Sequence, residues 1–241
     1  MSLWYLAKVP AFVLMSVAEN YAFHPPTNPP PKEVADREKF GSADMITKLT
    51  GWFPAVGALV SYSFHFAECA AVIAHEFPSE TSSKVLSFLF KDPSAADRLV
   101  IGRTFIAGFL LLTVGGALRK VCYDTLGKFF TYQLAIFKDH KLITSGPYGV
   151  VRHPAYIAFL MANTGFLTIL YAPGSYLWES GLLETRWIAA FLGTFGLMAA
   201  SLLVVTVRRV PREDAVMRKE FGKEWEQWAK RTPYRLIPYL Y

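Results

Sequence analysis

Apolar residues gather into five runs, at about 3–18, 52–74, 99–118, 155–172 and 187–207, separated by polar or proline-rich stretches. An α-helix rises 1.5 Å per residue, so runs of this length reach or approach the ~30 Å of hydrocarbon in a bilayer. The pattern predicts an all-α, multi-pass transmembrane helix bundle of about five spans. The first and fourth runs are short, and the first contains Lys8 and Pro10, which also suits a re-entrant or interfacial segment. It lacks the basic start and small-residue cleavage site of a signal peptide, so it reads as a retained anchor. After the last run, residues 213–230 have strong helical propensity, with Met217, Phe221, Trp225 and Trp228 forming one apolar stripe. This predicts a helix that lies at the interface or caps the bundle, stopped by Pro233.

Composition agrees with the membrane reading: 53% of the 241 residues are hydrophobic and 15% aromatic, too apolar for an ordinary soluble domain. Lys and Arg number four in residues 22–51, six in 119–154 and nine in 208–241, against three in 75–98 and one in 173–186. With five spans the three basic segments share a side, and the positive-inside rule makes that side, with the C-terminus, cytosolic. The net charge of +6 comes with no nucleic-acid motif, so membrane lipid and an anionic substrate are the expected partners, not nucleic acid. Cys69 and Cys122 rule out a disulfide framework, and the histidines show no metal-ligand spacing, so no metal is expected.

Two polar clusters stand out beside these runs. The first spans residues 140–156, His-Lys-Leu-Ile-Thr-Ser-Gly-Pro-Tyr-Gly-Val-Val-Arg-His-Pro-Ala-Tyr; the second spans 208–214, Arg-Arg-Val-Pro-Arg-Glu-Asp. Pro154 starts the fourth span where its missing amide hydrogen costs little, so Arg152 and His153 fall at a helix N-terminus whose amides can hold a carboxylate or ribose hydroxyls. Tyr148 and Tyr156 offer ring faces to a cation or an adenine. A basic, aromatic interfacial anchor fits the same residues equally well. Arg209 and Glu213, four apart, share a helix face; taken alone they read as a surface pair worth about 0.3–0.5 kcal/mol. His65 and Glu68 lie within the second run, near the membrane face away from both clusters, and read as a structural pair or as the sign of a span that ends early. Lys8 and Arg103 are expected to snorkel at that same outer face.

Taken together, these residues resemble the isoprenylcysteine carboxyl methyltransferase family. The likeness covers about residues 115–241 and rests on His-x-Leu-Ile-Thr-Ser-Gly-x-Tyr at 140–148, Arg-His-Pro-x-Tyr at 152–156, Gln133, Arg209, Glu213-Asp214, Phe221-Gly222 and Arg-x-Pro at 231–233. The resemblance implies endoplasmic reticulum residence and an S-adenosyl-L-methionine cofactor. That cofactor would be held by Gln133, His140, Lys141, Leu142, Ile143, Tyr148, His153, Pro154, Ala155, Tyr156 and Glu213. Arg209 would receive the carboxylate of a prenylated cysteine in a processed CaaX protein, or of a small prenylcysteine, so that Arg209 and Glu213 are the catalytic pair. The apolar runs give residues 1–118 three spans and their loops, and the resemblance makes 119–241, with two spans and the cytosolic tail, the cofactor-binding and catalytic region. The chain's ending also resembles that of NADPH-dependent sterol reductases, which generally carry more spans ahead of it. A phospholipid or amine N-methyltransferase would use the same cofactor without needing Arg209, and a non-catalytic membrane adaptor would bind no cofactor.

Overall fold

The computed structural model describes residues 3–24, 49, 51–130 and 141–241. Gln133 and His140, both expected at the cofactor, lie outside the described residues, as does the proline-rich connector. Among the described residues the elements are helical, in the order α1 (Lys8–Phe23), α2 (Phe53–Glu76), α3 (Glu80–Leu89), α4 (Arg103–Leu126), α5 (Pro154–Tyr171), α6 (Tyr176–Glu179), α7 (Arg186–Phe221) and α8 (Lys223–Arg231).

Four of these, α2, α4, α5 with the turn that follows it, and α7, are long and apolar enough to cross a membrane. α1 has only 16 α-helical residues, extended at its start by a 3-10 turn over Leu3–Ala7. It nonetheless runs the length of the bundle: Tyr5 and Leu6 pack beside Phe90, Ala95 and Leu99 at one end, while Phe23 reaches the cavity at the other. Counting α1, five of the described helices run through the bundle.

Sequence explains the close fit at the centre. α4 and α5 lie antiparallel with their backbones in contact, because Gly115 and Gly165 face each other's helix. A Cβ at Gly115 would stand 2.6 Å from the Ala162 nitrogen, and one at Gly165 2.5 Å from the Leu112 nitrogen. Small residues allow this approach where lipid offers no hydrophobic drive between helices. Around the seam, Phe12, Met15, Leu112, Phe166, Leu177 and Phe195 form the core.

Lys8 does not snorkel. It is fully buried and ion-paired with Glu68, whose other oxygen accepts the Tyr176 amide at 2.9 Å. A cation this deep has no water to reach, so a carboxylate on the neighbouring helix replaces it. His65 joins the same layer, its Nδ1 3.1 Å from the Ser16 hydroxyl, while Ser61 donates to Glu19 at 2.8 Å. His65 and Glu68 are structural here, but not as a pair: Glu68 bonds Lys8, and His65 lies beside Ser16 and Glu19, all on α1.

α7 is 36 residues long, about 54 Å at 1.5 Å per residue, well beyond the ~30 Å of hydrocarbon. Its last turns, from Arg208 onward, therefore project past the membrane. Pro211 sits inside it without breaking the helix, so Arg209 and Glu213 do share a face. The helix expected over 213–230 is not continuous: Gly222, at φ +51°, ends α7, and α8 begins at Lys223 in a new direction. A side chain at Gly222 would disfavour that conformation. The apolar stripe survives the break. Trp228 is buried against Cys122, Tyr123, Leu142 and Tyr148, with Met217, Phe221 and Trp225 packed around them, so the tail caps the bundle.

Candidate active site

The loop before α5 and the end of α7 are joined by one carboxylate. Asp214 receives the Arg152 guanidinium (Nε at 3.3 Å, Nη2 at 3.1 Å), the His153 Nε2 at 2.9 Å and the Arg235 Nε at 3.0 Å. Arg152 also donates through Nη1 to the carbonyls of Thr232 and Pro233, at 2.9 and 2.8 Å. The amides of Arg152 and His153 donate to the carbonyls of Tyr234 and Arg235. Trp228 Nε1 donates to the Tyr148 carbonyl at 3.0 Å. The tail therefore occupies the amides expected to bind a ligand at this helix start, and Arg152 braces the tail while also lining the adjacent cavity.

His153 sits between two acids. Its Nδ1 is 3.6 Å from Glu213, and its ring stacks on Tyr156 at 5.6 Å between centroids and 9° between planes, while the Tyr156 hydroxyl donates to Glu213. One face of Tyr156 is thus already covered. Burial pulls the imidazole pKa down, but the hydrogen bonds and charges of Asp214 and Glu213 more than reverse this, holding it at about 9. Burial likewise pushes the Glu213 carboxyl up, and His153, Arg209 and Tyr156 together bring it down to about 2. At neutral pH both acids are ionised and His153 is protonated.

These shifts fix the sign of a pH effect. A histidine whose folded pKa exceeds its unfolded value of about 6.5 stabilises the fold fully below that pH, and the contribution is lost as pH rises through about 9. Glu213 works in the other direction: its contribution is present above about 4.5 and is lost as pH falls towards 2. We expect the thermal midpoint in detergent to fall between pH 7 and 10, and His153→Gln to flatten that slope. An unchanged slope in the variant would show that the imidazole does not carry it.

Beside this cluster opens a cavity of about 1710 Å³, its open mouth included. Lys141, Ile143, Tyr148, His153, Ala155, Tyr156, Arg209 and Glu213 line it, so eight expected residues from both polar clusters meet at one surface. Leu142 and Pro154 are buried and absent from that lining; Leu142 packs beneath it with Cys122 and Tyr123. On α7 the lining residues Phe195, Ala199, Leu202, Thr206, Arg209 and Glu213 are spaced three or four apart, a single face that passes from apolar to charged.

Three features of the wall escaped the sequence reading. Arg119, buried near the end of α4, donates to the Ala155 carbonyl at 2.5 Å and to the Tyr123 hydroxyl at 2.9 Å, with Phe130 and Phe159 about its guanidinium. Its signal was an arginine one helical turn before Tyr123 at the end of an apolar run. Asn163, mid-span, donates to the Ala199 carbonyl at 2.8 Å and ties α5 to α7. Phe53, Phe166 and Phe195 lie at the apolar end; the run pattern could not single them out among 19 phenylalanines.

The wall also carries donors with room for an acceptor. Among the described residues the buried Trp225 indole N–H has no hydrogen-bond partner, and the Tyr148 hydroxyl has the Cys122 thiol beside it. Buried polar groups are normally satisfied, so such a donor at a cavity wall is suited to a ligand that brings acceptor atoms.

Residues 107–219 match the model of the isoprenylcysteine carboxyl methyltransferase (ICMT) family. The chain is 28% identical over 128 residues to protein-S-isoprenylcysteine O-methyltransferase B of Arabidopsis thaliana, covering 52% of this chain and 55% of that one. It is 31% identical over 127 residues to a probable protein-S-isoprenylcysteine O-methyltransferase of Oryza sativa subsp. indica, covering 52% and 56%. A Delta(14)-sterol reductase of Mus musculus is 30% identical over 101 residues, 42% of this chain but 20% of that protein. The chain thus spans about half the length of the methyltransferases it matches. No solved structure matches it. The segment 107–219, which holds Arg119, the His153 cluster and the charged turn of α7, is thus the part of the chain that is similar to the isoprenylcysteine carboxyl methyltransferase family.

Proposed function

We propose that this protein transfers a methyl group from S-adenosyl-L-methionine to the C-terminal carboxylate of a prenylated cysteine. Its clients are processed CaaX proteins in the endoplasmic reticulum membrane, and its C-terminus faces the cytosol, as the Lys and Arg distribution favours. One observation carries the reading: a single cavity joins Arg209, beside the Glu213, His153 and Tyr156 cluster, to an aromatic end about 21 Å away along α7. An anionic head on a terpenoid tail has that polarity.

The cofactor, when bound, supplies an electrophilic methyl on a sulfonium. Glu213, partly exposed to the cavity, would accept from its amine or ribose hydroxyls, and Trp225 and Tyr148 would donate to it. Arg209 would fork onto the substrate carboxylate, fixing its direction. A carboxylate is already ionised at neutral pH, so no general base is needed; positioning and exclusion of water are what the site must supply. Transfer from a cation to an anion neutralises both, which a low-dielectric cavity favours.

The test is transfer of labelled methyl from S-adenosyl-L-methionine to N-acetyl-S-farnesylcysteine by membranes holding this protein. A base-labile product absent from Arg209→Ala membranes is expected. Stable or absent product, with folded protein shown to be present, would sink the reading. The likeness to the sterol reductase supports a second reading, in which NADPH and not S-adenosylhomocysteine raises the thermal midpoint of the purified protein.

A further inference from the structure

We propose that Phe53, Phe166 and Phe195 form a floor that sets how long a terpenoid chain the cavity accepts; this rests on the prenylcysteine reading above. Phe53 stacks on Phe195 at 5.3 Å and 27°, and Phe166 meets Phe195 edge-on at 6.1 Å and 80°. All three are at least 92% buried, and all line the end of the cavity remote from Arg209. Ring contacts of this kind hold each plane in place, so the end wall is rigid where a wall of leucine or methionine would yield.

What lies beneath makes the floor a stop. Phe166 also lines a second, smaller cavity, shared with Ser61, His65 and Glu68. That is the polar layer in which Ser61 donates to Glu19, Ser16 bonds His65 and Lys8 pairs with Glu68. An isoprenoid pushed past Phe166 would have to displace hydrogen-bonded and charged groups, a cost that apolar contact does not offset. The terpenoid chain therefore ends at the rings.

Two of the positions that shape this end, Phe53 and Gly57, precede residue 107 and lie outside the family-matched segment. Chain-length selection thus draws on both halves of the protein, while the charged end is written in the second. Gly57 is the natural probe. It lines the cavity one turn from Phe53, and a Cβ there meets only the tip of Phe195, at 3.9 Å, an ordinary contact. A larger side chain would project into open space and raise the floor without displacing backbone.

The experiment compares N-acetylcysteines carrying S-geranyl, S-farnesyl and S-geranylgeranyl chains, using the full chain and its Gly57→Leu and Phe195→Leu variants. Two quantities are measured: kcat/KM for methyl transfer, and the rise in thermal midpoint that each lipid produces without cofactor. Gly57→Leu is expected to lower geranylgeranyl relative to geranyl turnover by about tenfold or more, the discrimination a changed apolar pocket delivers. Phe195→Leu should shift the ratio the other way, and the thermal series should move in parallel. Methyl transfer with an unchanged chain-length ratio in both variants would overturn the floor and leave the proposed activity standing. A shifted thermal series without methyl transfer in any protein would do the reverse. A Gly57→Leu protein that fails to fold leaves Phe195→Leu to decide.

Discussion

Replacing Arg209 with alanine is expected to lower methyl transfer by about a hundredfold or more while leaving cofactor affinity nearly unchanged. The magnitude is that of removing one charge-assisted donor from a site that orients a reacting anion. Selectivity follows from position. Arg209 is buried on the cavity face of α7, one turn from Glu213, where it would meet a carboxylate entering from the apolar end. Its loss would raise the Glu213 pKa only in part, because His153 and Tyr156 also hold that carboxylate. The cofactor side of the site therefore stays formed. Arg209→Lys should recover only a fraction of the rate, since an ammonium keeps the charge but not the planar fork that fixes a carboxylate's direction. Glu213→Ala should show the opposite pattern, weakening S-adenosylhomocysteine binding. Equal loss of cofactor binding in Arg209→Ala and Glu213→Ala would show that the two roles are assigned to the wrong residues.

Asp214→Ala should be the most destabilising single change at this end of the molecule. It leaves Arg152, His153 and Arg235 without the carboxylate that all three share. Breaking a buried ion pair from one side costs about 3–5 kcal/mol, because the remaining charge keeps its desolvation penalty and loses its compensation. For a chain of this size that corresponds to a fall in thermal midpoint on the order of 10 °C. Arg152 also holds the Thr232 and Pro233 carbonyls, so the tail should loosen from the 148–153 loop and become accessible to protease. Asp214→Asn, which keeps an acceptor but not the charge, should fall between. Arg218 with Glu226 provides the control: at 2.7 Å but well exposed, that pair should contribute no more than about 1 kcal/mol. A midpoint in Asp214→Ala indistinguishable from that of Glu226→Ala would mean that Asp214 is not the brace.

The positions of the helices were legible because hydrocarbon imposes one rule on every residue that faces it. Apolar runs near 52–74, 99–118, 155–172 and 187–207 became α2, α4, α5 and α7, with α4 running on to Leu126 and α7 to Phe221. The meeting of the two polar clusters was legible too, since both flank apolar runs on the side where Lys and Arg concentrate, and the family-like spacing ties them together. Arg209 with Glu213 came through despite Pro211, because a helix that is well packed on one face tolerates a missing amide on the other.

What the chain could not disclose in one dimension depends on which distant groups compensate one another. Lys8 looked like a snorkelling cation until Glu68, 60 residues later, was found beside it. Arg152 and the amides of the 152–153 turn looked free for a ligand until the tail carbonyls and Asp214 claimed them. Arg119 gave little sign of itself until Ala155 and three aromatic rings closed round it. The aromatic floor joins Phe53 of α2, Phe166 of α5 and Phe195 of α7, positions that share no sequence pattern. Solvation by lipid or water acts on each residue independently and can be read along the chain; charge compensation and ring packing are pairwise, short in range and indifferent to sequence separation, so the tertiary structure alone decided them.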